Sequence, residues 1–313
     1  MKRSTATKCT PRLAALARPV TGARVGVALA LLAACSSPPP AYRPGELSPA
    51  QQEQCRAIER AYRSEAAEYA ALRDAAKGDP VVAGWLTRMF VHDVFTVREG
   101  RPLGDDELLR AAAKIEDPVE ARALAELRVF GAAAVPTLIG DLLRHSQPQP
   151  RELGVELIAR VGPAAVPALQ ELARDGEAKH RRAAARALGA IGGEGSELAT
   201  LRELAGDEDY TVRADAMRSL GGGGSAAQQL LVSRLRDDPD PFVRRVAAQT
   251  LGQHPGAPSG RALIDYLERC KRERDFPGEQ SAQASLQKLA AASGPRTPAA
   301  WRAWVDQLEA TKR

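Results

Sequence analysis

Aromatic residues are scarce in this sequence, at 4% of its 313 residues. β-Sandwiches and β-barrels need aromatic and β-branched side chains in their strands, so the scarcity argues against both folds. Alanine, in contrast, is abundant. It has the highest intrinsic helix propensity, and its small side chain lets neighbouring helices approach closely. The composition therefore predicts an all-α protein made of stacked helices.

The sequence also lacks the short motifs that carry common enzyme chemistry, since GxSxG, HExxH and a phosphate-binding loop are all missing. A glycine-rich stretch at residues 189–193 follows a predicted helix rather than a strand, so it indicates a helix C-cap. The histidines have no second ligand at the spacings that recur in metal sites; they are His92, His145, His180 and His254. We therefore expect no catalytic residue, no metal and no cofactor.

An apolar run at residues 25–34 is shorter than the ~20 residues that a membrane-spanning helix requires. It follows a basic stretch and ends in small residues, which is the order of a secretory signal. The residues Leu32, Ala33, Ala34 and Cys35 resemble the lipobox of bacterial lipoproteins. The resemblance implies that residues 1–34 are a signal peptide that is removed, and that Cys35 is acylated. An ordinary signal peptide with a chance cysteine is the alternative.

The net charge depends on that N-terminal segment. Residues 1–34 contain six Lys or Arg residues and no acid, so their removal changes the net charge from +5 to −1. A nearly neutral protein without a basic stripe is not expected to bind nucleic acid. The next segment, residues 35–47, is rich in proline and predicts an extended tether between the lipid anchor and the folded part.

Four arginines recur at intervals of 31 residues: Arg151, Arg182, Arg213 and Arg244. Each lies near the start of a predicted helix, and three of these helices carry a Leu-Gly pair near their ends. A fixed period of this length is the sequence signature of a solenoid. Asp209 and Asp240 precede two of the helices and are predicted to be their N-caps.

Residues 237–252, DDPDPFVRRVAAQTLG, resemble the second helix and the preceding turn of a HEAT repeat, of the short kind found in phycobilisome lyases. The resemblance covers residues 105–294 and implies a right-handed α-α superhelix, the HEAT/armadillo-like solenoid. It also implies a ladder in which the period-31 arginines bond to turn carbonyls and acids; the candidate acids are Asp207, Asp209, Asp238 and Asp240. Such a ladder makes these arginines internal struts rather than ligand-binding groups.

Two segments flank the predicted solenoid. Residues 48–100 are expected to form an N-terminal hairpin of two long antiparallel helices that turns at Gly78. Residues 295–313 are expected to form a C-terminal capping helix. On this helix Trp301 and Trp304 share one face, and core packing is favoured over an aromatic binding site.

Cysteines are few, and the predicted signal peptide contains or precedes two of the four. The remaining two, Cys55 and Cys270, belong to opposite ends of the predicted solenoid. A disulfide requires Cα atoms within about 7 Å of each other. We therefore expect buried free thiols.

These features predict a non-catalytic, membrane-anchored scaffold of the bacterial cell envelope that binds an unspecified protein partner. The binding surface is expected on the concave face formed by the second helices, with no small-molecule substrate. The folded part is expected in the periplasm or at the cell surface, and Ser36 after the lipidated cysteine favours the outer membrane. A lyase or chaperone-like HEAT protein and a purely structural envelope spacer are the alternatives.

Overall fold

The computed structural model describes residues 47–99, 117–192, 195–290 and 297–310. Every regular element in these ranges is helical, and the protein is an all-α solenoid, as the sequence predicts. The predicted signal peptide at residues 1–34, the tether except for Leu47, and the predicted helix at residues 105–115 lie outside the described residues.

The N-terminal segment does not form the predicted hairpin. Its described residues form three helices: α1 (Pro49–Arg63), α2 (Tyr69–Ala76) and α3 (Pro80–Glu99). Gln51 near the start of α1 donates a hydrogen bond to Asp79, just before α3, over 2.8 Å. Arg63 at the end of α1 pairs with Asp93, far along α3, over 2.7 Å. α1 and α3 therefore run parallel, and α2 returns the chain between them.

A non-glycine residue in the left-handed region causes the break after α1. Glu65 has a φ of 55°. The N–H of Ala66 donates to the carbonyl of Ala61 over 2.9 Å, and the N–H of Glu65 donates to that of Tyr62 over 3.3 Å. This Schellman arrangement ends an α-helix, and glycine usually supplies its left-handed residue. A glutamate at this position hides the break, which is why the sequence predicts one long helix.

From residue 117 onwards, the described helices alternate between two rows. They are α4 (Pro118–Phe130), α5 (Val135–Thr137), α6 (Pro148–Val161), α7 (Val166–Leu172), α8 (Ala178–Ile191), α9 (Ser196–Leu204), α10 (Tyr210–Ser219), α11 (Ser225–Asp237), α12 (Pro241–Leu251), α13 (Ala257–Glu273), α14 (Phe276–Leu289) and α15 (Pro298–Ala310). α5 continues directly into a π-helical stretch, Leu138–Leu143. The even-numbered helices α4 to α14 contact one another in succession and are the second helices of the repeats.

Small residues let the second helices approach one another closely. A Cβ added to Gly189 of α8 would lie 2.4 Å from the Cβ of Ser219 on α10, closer than side-chain atoms can pack. α8 also buries a group of alanines between its neighbours: Ala183, Ala184, Ala185 and Ala187. The glycine of the repeated Leu-Gly pair is thus a contact residue here, and α8 itself ends at Gly192, with a φ of 75°.

One described stretch, Pro118–Leu143, is long and apolar enough to cross a membrane by length and composition alone. It is interrupted at Gly131, which has a φ of 64° and ends α4. Apolar side chains on both sides of the break are buried: Leu127, Phe130, Leu138 and Leu142. The stretch therefore belongs to the packed array.

Aromatic and charged contacts join the N-terminal helices to the array. The rings of Phe90 on α3 and Phe130 on α4 meet edge to face, with centroids 6.2 Å apart. Arg98 on α3 pairs with Glu120 of α4 over 2.7 Å and with Glu156 of α6 over 2.6 Å. α3 thus packs against the first described second helix.

The expectations for the tryptophans and cysteines concern the two ends of this array. Trp301 on α15 is buried, Trp304 is half-buried, and their rings meet edge to face at 5.5 Å. These rings pack in the core, as the sequence predicts. Cys55 and Cys270 are buried free thiols, which confirms that prediction. Burial raises the pKa of Cys55 to about 11, so its thiol stays protonated at neutral pH.

Replacing Glu65 with glycine is expected to raise the free energy of unfolding by about 1 kcal/mol, because the left-handed region costs a non-glycine residue roughly that much. Glu65 also pairs with Arg122. Glu65→Ala is therefore the matched control, since it removes the same ion pair but keeps the strain. Urea unfolding followed by circular dichroism measures both variants, and equal stabilities would contradict this explanation of the break.

Candidate functional site

One arginine in each of four successive second helices reaches back to the turn that precedes its helix. In each case the Nη1 group donates to the carbonyls six and five residues earlier, over 2.6–3.2 Å. We call these residues the ladder arginines: Arg151, Arg181, Arg213 and Arg244. Because guanidinium groups satisfy turn carbonyls that no helix can reach, they hold each turn against its own helix.

The structure corrects one member of the predicted set. Arg181, and not Arg182, bonds to the carbonyls of Asp175 and Gly176. The ladder arginines are therefore spaced by 30, 32 and 31 residues rather than by 31 throughout. The strict period selects the neighbour of the correct residue, because the shorter interval before Arg181 is compensated by the longer one after it.

Carboxylates connect each ladder arginine to the next repeat. The Nε group of Arg181 donates to Asp207 over 2.7 Å, and that of Arg213 donates to Asp238 over 2.9 Å. The same two carboxylates also accept the backbone N–H two residues further on, within their own turns. Asp207 and Asp238 thus hold their own turn and the preceding repeat together.

The other two predicted acids have a different position. Asp209 accepts a hydrogen bond from the N–H of Thr211 over 2.7 Å, and Asp240 accepts one from the N–H of Phe242 over 2.8 Å. They lie at the N-caps of α10 and α12. The Thr211 hydroxyl, together with backbone N–H groups, holds the pKa of Asp209 below its usual range.

The ladder changes at both ends. At the first turn, Asp175 pairs with Arg144 over 3.1 Å and with the Nδ1 group of His180 over 2.9 Å instead of with Arg151. At the last turn, the Nε group of Arg244 is buried without a hydrogen-bond partner among the described residues. The complete arginine–carboxylate links therefore lie in the middle of the array.

Arg182 belongs to a different surface. Its Nε group donates to Asp215 over 2.7 Å, and Arg218 donates to the other oxygen of the same carboxylate. The Asp215 side chain is 3% exposed, whereas those of Arg182 and Arg218 are 42% and 50% exposed. A buried carboxylate thus positions two guanidinium groups that remain accessible to solvent.

Two aromatic rings lie beside these arginines. Tyr210 and Phe242 meet edge to face, with centroids 6.2 Å apart. The guanidinium carbons of Arg218 and Arg245 lie 5.5 Å and 5.8 Å from the centroid of the Phe242 ring. Cations at this distance are attracted by the ring, so the phenylalanine helps to hold both arginines in place.

These side chains line two adjoining depressions that together we call the second-helix groove. One, of about 570 Å³, includes Arg186 and Gly189. The other, of about 550 Å³, includes Tyr210 and Phe242. Arg182 and Arg218 line both, so the two form one continuous surface.

The ladder determines which residues face the groove. Residues that follow a ladder arginine by one or five positions are on one helix face, because they are four residues apart. Those that line the groove are Glu152, Arg182, Arg186, Arg218 and Arg245. Burial lowers the pKa of Arg151, and the charges of the nearby Arg182 and Arg186 lower it further, so positive charge accumulates here.

The chemistry of the groove suits binding. Arginine side chains donate hydrogen bonds but cannot act as bases at neutral pH. Asp215 is engaged by two guanidinium groups. Within the described residues, there is no cluster of three or more His, Cys, Asp or Glu side chains placed to hold a metal ion.

Sequence reasoning missed most of this surface, although one signal pointed to it. Asp215 follows its ladder arginine by two positions, where the other repeats have Leu153, Ala183 and Val246. An acid in an otherwise apolar row breaks the repeat pattern, and such positions are where a functional surface is expected. The predicted lipid-attachment residue Cys35 and the lipobox residues Leu32, Ala33 and Ala34 lie outside the described residues.

Replacing Arg181 with alanine is expected to lower the free energy of unfolding by about 3 kcal/mol, because it leaves the buried Asp207 carboxylate without its arginine. The adjacent Arg182→Ala variant is the matched control. It is expected to cost less than about 1 kcal/mol, because its guanidinium is partly exposed and Asp215 keeps Arg218. Chemical unfolding compares the two variants. A larger loss for Arg182→Ala would restore the strict period-31 assignment.

Comparison with known families supports the repeat assignment. Residues 135–221 and 198–287 match the family described as HEAT repeats. No curated protein matches the chain at a significant level. The matched range contains all the helices from α5 to α12 and most of α13 and α14. This part of the solenoid is therefore built from HEAT repeats.

Proposed function

We propose that the protein is a non-catalytic, membrane-anchored scaffold that binds a protein partner in the second-helix groove. The observation that carries the proposal is the pair of exposed guanidinium groups that the buried Asp215 holds in position. Preorganised side chains lose less entropy on binding than mobile ones, so such an arrangement favours recognition. HEAT repeats supply the extended helical surface on which this recognition takes place.

In this proposal, export and lipidation determine where the scaffold acts. The lipobox-like residues that end at Cys35 direct the chain to a bacterial cell envelope. The acyl chains hold it in the membrane, because several chains together anchor a protein stably. The Pro-rich residues 35–47 then separate the repeats from the lipid surface. Ser36 favours the outer membrane, with the repeats in the periplasm or at the cell surface.

A photo-reactive amino acid at Ala190 tests the binding surface. Ala190 is exposed and lines the groove, so it is expected to cross-link one specific partner in intact cells. The matched control is the same amino acid at Arg202, which is exposed on α9, a first helix. Mass spectrometry identifies the products. A partner captured equally from both positions, or from neither, would contradict groove binding.

The variant Cys35→Ala separates the anchor from the groove in the same experiment. We expect this chain to leave the membrane fraction and to lose most of its cross-linking at Ala190, because the anchor concentrates the scaffold near its partner. If the groove substitutions leave cell growth unchanged while Cys35→Ala abolishes function, the protein is a spacer rather than a binding scaffold.

A further inference from the structure

The arginines of the second-helix groove outnumber its acids. Four arginines line it, and among the acids there Asp215 is buried, so it adds little to the outer surface. Glu152 lies 3.9 Å from Arg186 at one edge. The chain that remains after residues 1–34 has a net charge of only −1. The positive charge of this groove is thus a local feature, which a bulk charge count conceals.

The arginines are also spread along the array. Arg186, Arg218 and Arg245 lie on α8, α10 and α12, which are successive second helices. Packed helices are separated by about 10 Å, so these positions extend over roughly 20 Å. A single small anion cannot reach all of them. An extended peptide of about six residues covers that distance, at ~3.3 Å per residue.

The ends of the groove differ in character. Beside Phe242, the Tyr210 ring is 47% exposed and offers an apolar contact for a ligand side chain. Next to Tyr210, the turns carry the acids Glu208, Asp209 and Asp240. A continuous phosphate backbone that ran along the arginines would meet these acids. A peptide with separate carboxylates avoids them.

We propose that the groove binds an acidic, extended segment of a partner protein, with carboxylates on the groove arginines and an apolar or aromatic side chain against Tyr210 and Phe242. The guanidinium nitrogens that do not bond to Asp215 pair with the ligand carboxylates, and such pairs are often bidentate. This inference rests on the proposed function, and it specifies the chemistry of the partner.

Binding of a fluorescent peptide to the full chain in detergent tests the proposal. The probe is a short glutamate-rich peptide with one phenylalanine, compared with the same peptide carrying glutamine for glutamate and with a single-stranded oligonucleotide. We expect the glutamate peptide to bind best and to weaken as salt is raised. Equal binding of the glutamine peptide would overturn the proposal, and tighter binding of the oligonucleotide would replace the peptide with nucleic acid.

The double variant Arg186→Glu/Arg245→Glu is expected to weaken peptide binding about tenfold, because each exposed ion pair contributes a few-fold and charge reversal adds repulsion. Arg202→Glu/Arg236→Glu changes the charge equally on the first helices and is the matched control. If charge reversal unfolds the chain, Arg186→Gln/Arg245→Gln gives the same comparison. Unchanged affinity in a folded groove variant would overturn the proposal.

The cross-linking experiment at Ala190 distinguishes the two levels of the account. If the groove variant still captures the partner as efficiently as the unmodified chain, the acidic-segment inference fails but the proposed function stands. If Ala190 captures no partner in the unmodified chain, the proposed function fails, whatever the peptide does.

Discussion

The charge-assisted bonds between an arginine of one repeat and a carboxylate in the next turn are the interaction on which the array depends. In a solenoid, each repeat contacts only its neighbours, so the register between repeats has to be determined locally. Arg181 with Asp207 and Arg213 with Asp238 do this, because each pair is largely buried and each arginine also holds its own turn. Apolar contacts between alanine-rich helices have little directional preference and define the register less sharply.

The same bonds determine where the groove lies. Once the ladder arginine of a helix faces the turns, the next residue is turned about 100° away, since an α-helix has 3.6 residues per turn. Arg182 and Arg245 are such residues, and both line the groove. Structural and binding arginines are thus adjacent in the sequence but face different surroundings. Asp215 then orders Arg182 and Arg218, which lie on neighbouring helices.

The sequence predicts the repeat architecture well because period and composition are local properties. It fails where a single residue departs from its usual role. Glutamate replaces glycine at Glu65, so the break after α1 is invisible to a rule that looks for glycine. Arg181 and Arg182 are indistinguishable to a strict period, because the insertion that separates them is compensated in the following repeat.

The groove was beyond sequence reasoning for a further reason. Its residues come from different helices, and their proximity follows from the register between repeats, which the period alone does not define. The argument that bulk charge excludes an acidic ligand also depended on an average. Buried Asp215 and the buried ladder carboxylates balance part of the arginine charge internally, while the groove arginines stay accessible.

A double-mutant cycle on Arg213 and Asp238 tests the central claim most directly. The free energies of unfolding of Arg213→Ala, Asp238→Ala, the double variant and the unmodified chain give the coupling between the two side chains. We predict a coupling of about 2 kcal/mol, at the upper part of the range for contacting residues. Additive effects, with a coupling near zero, would contradict the claim that these bonds hold the repeats in register.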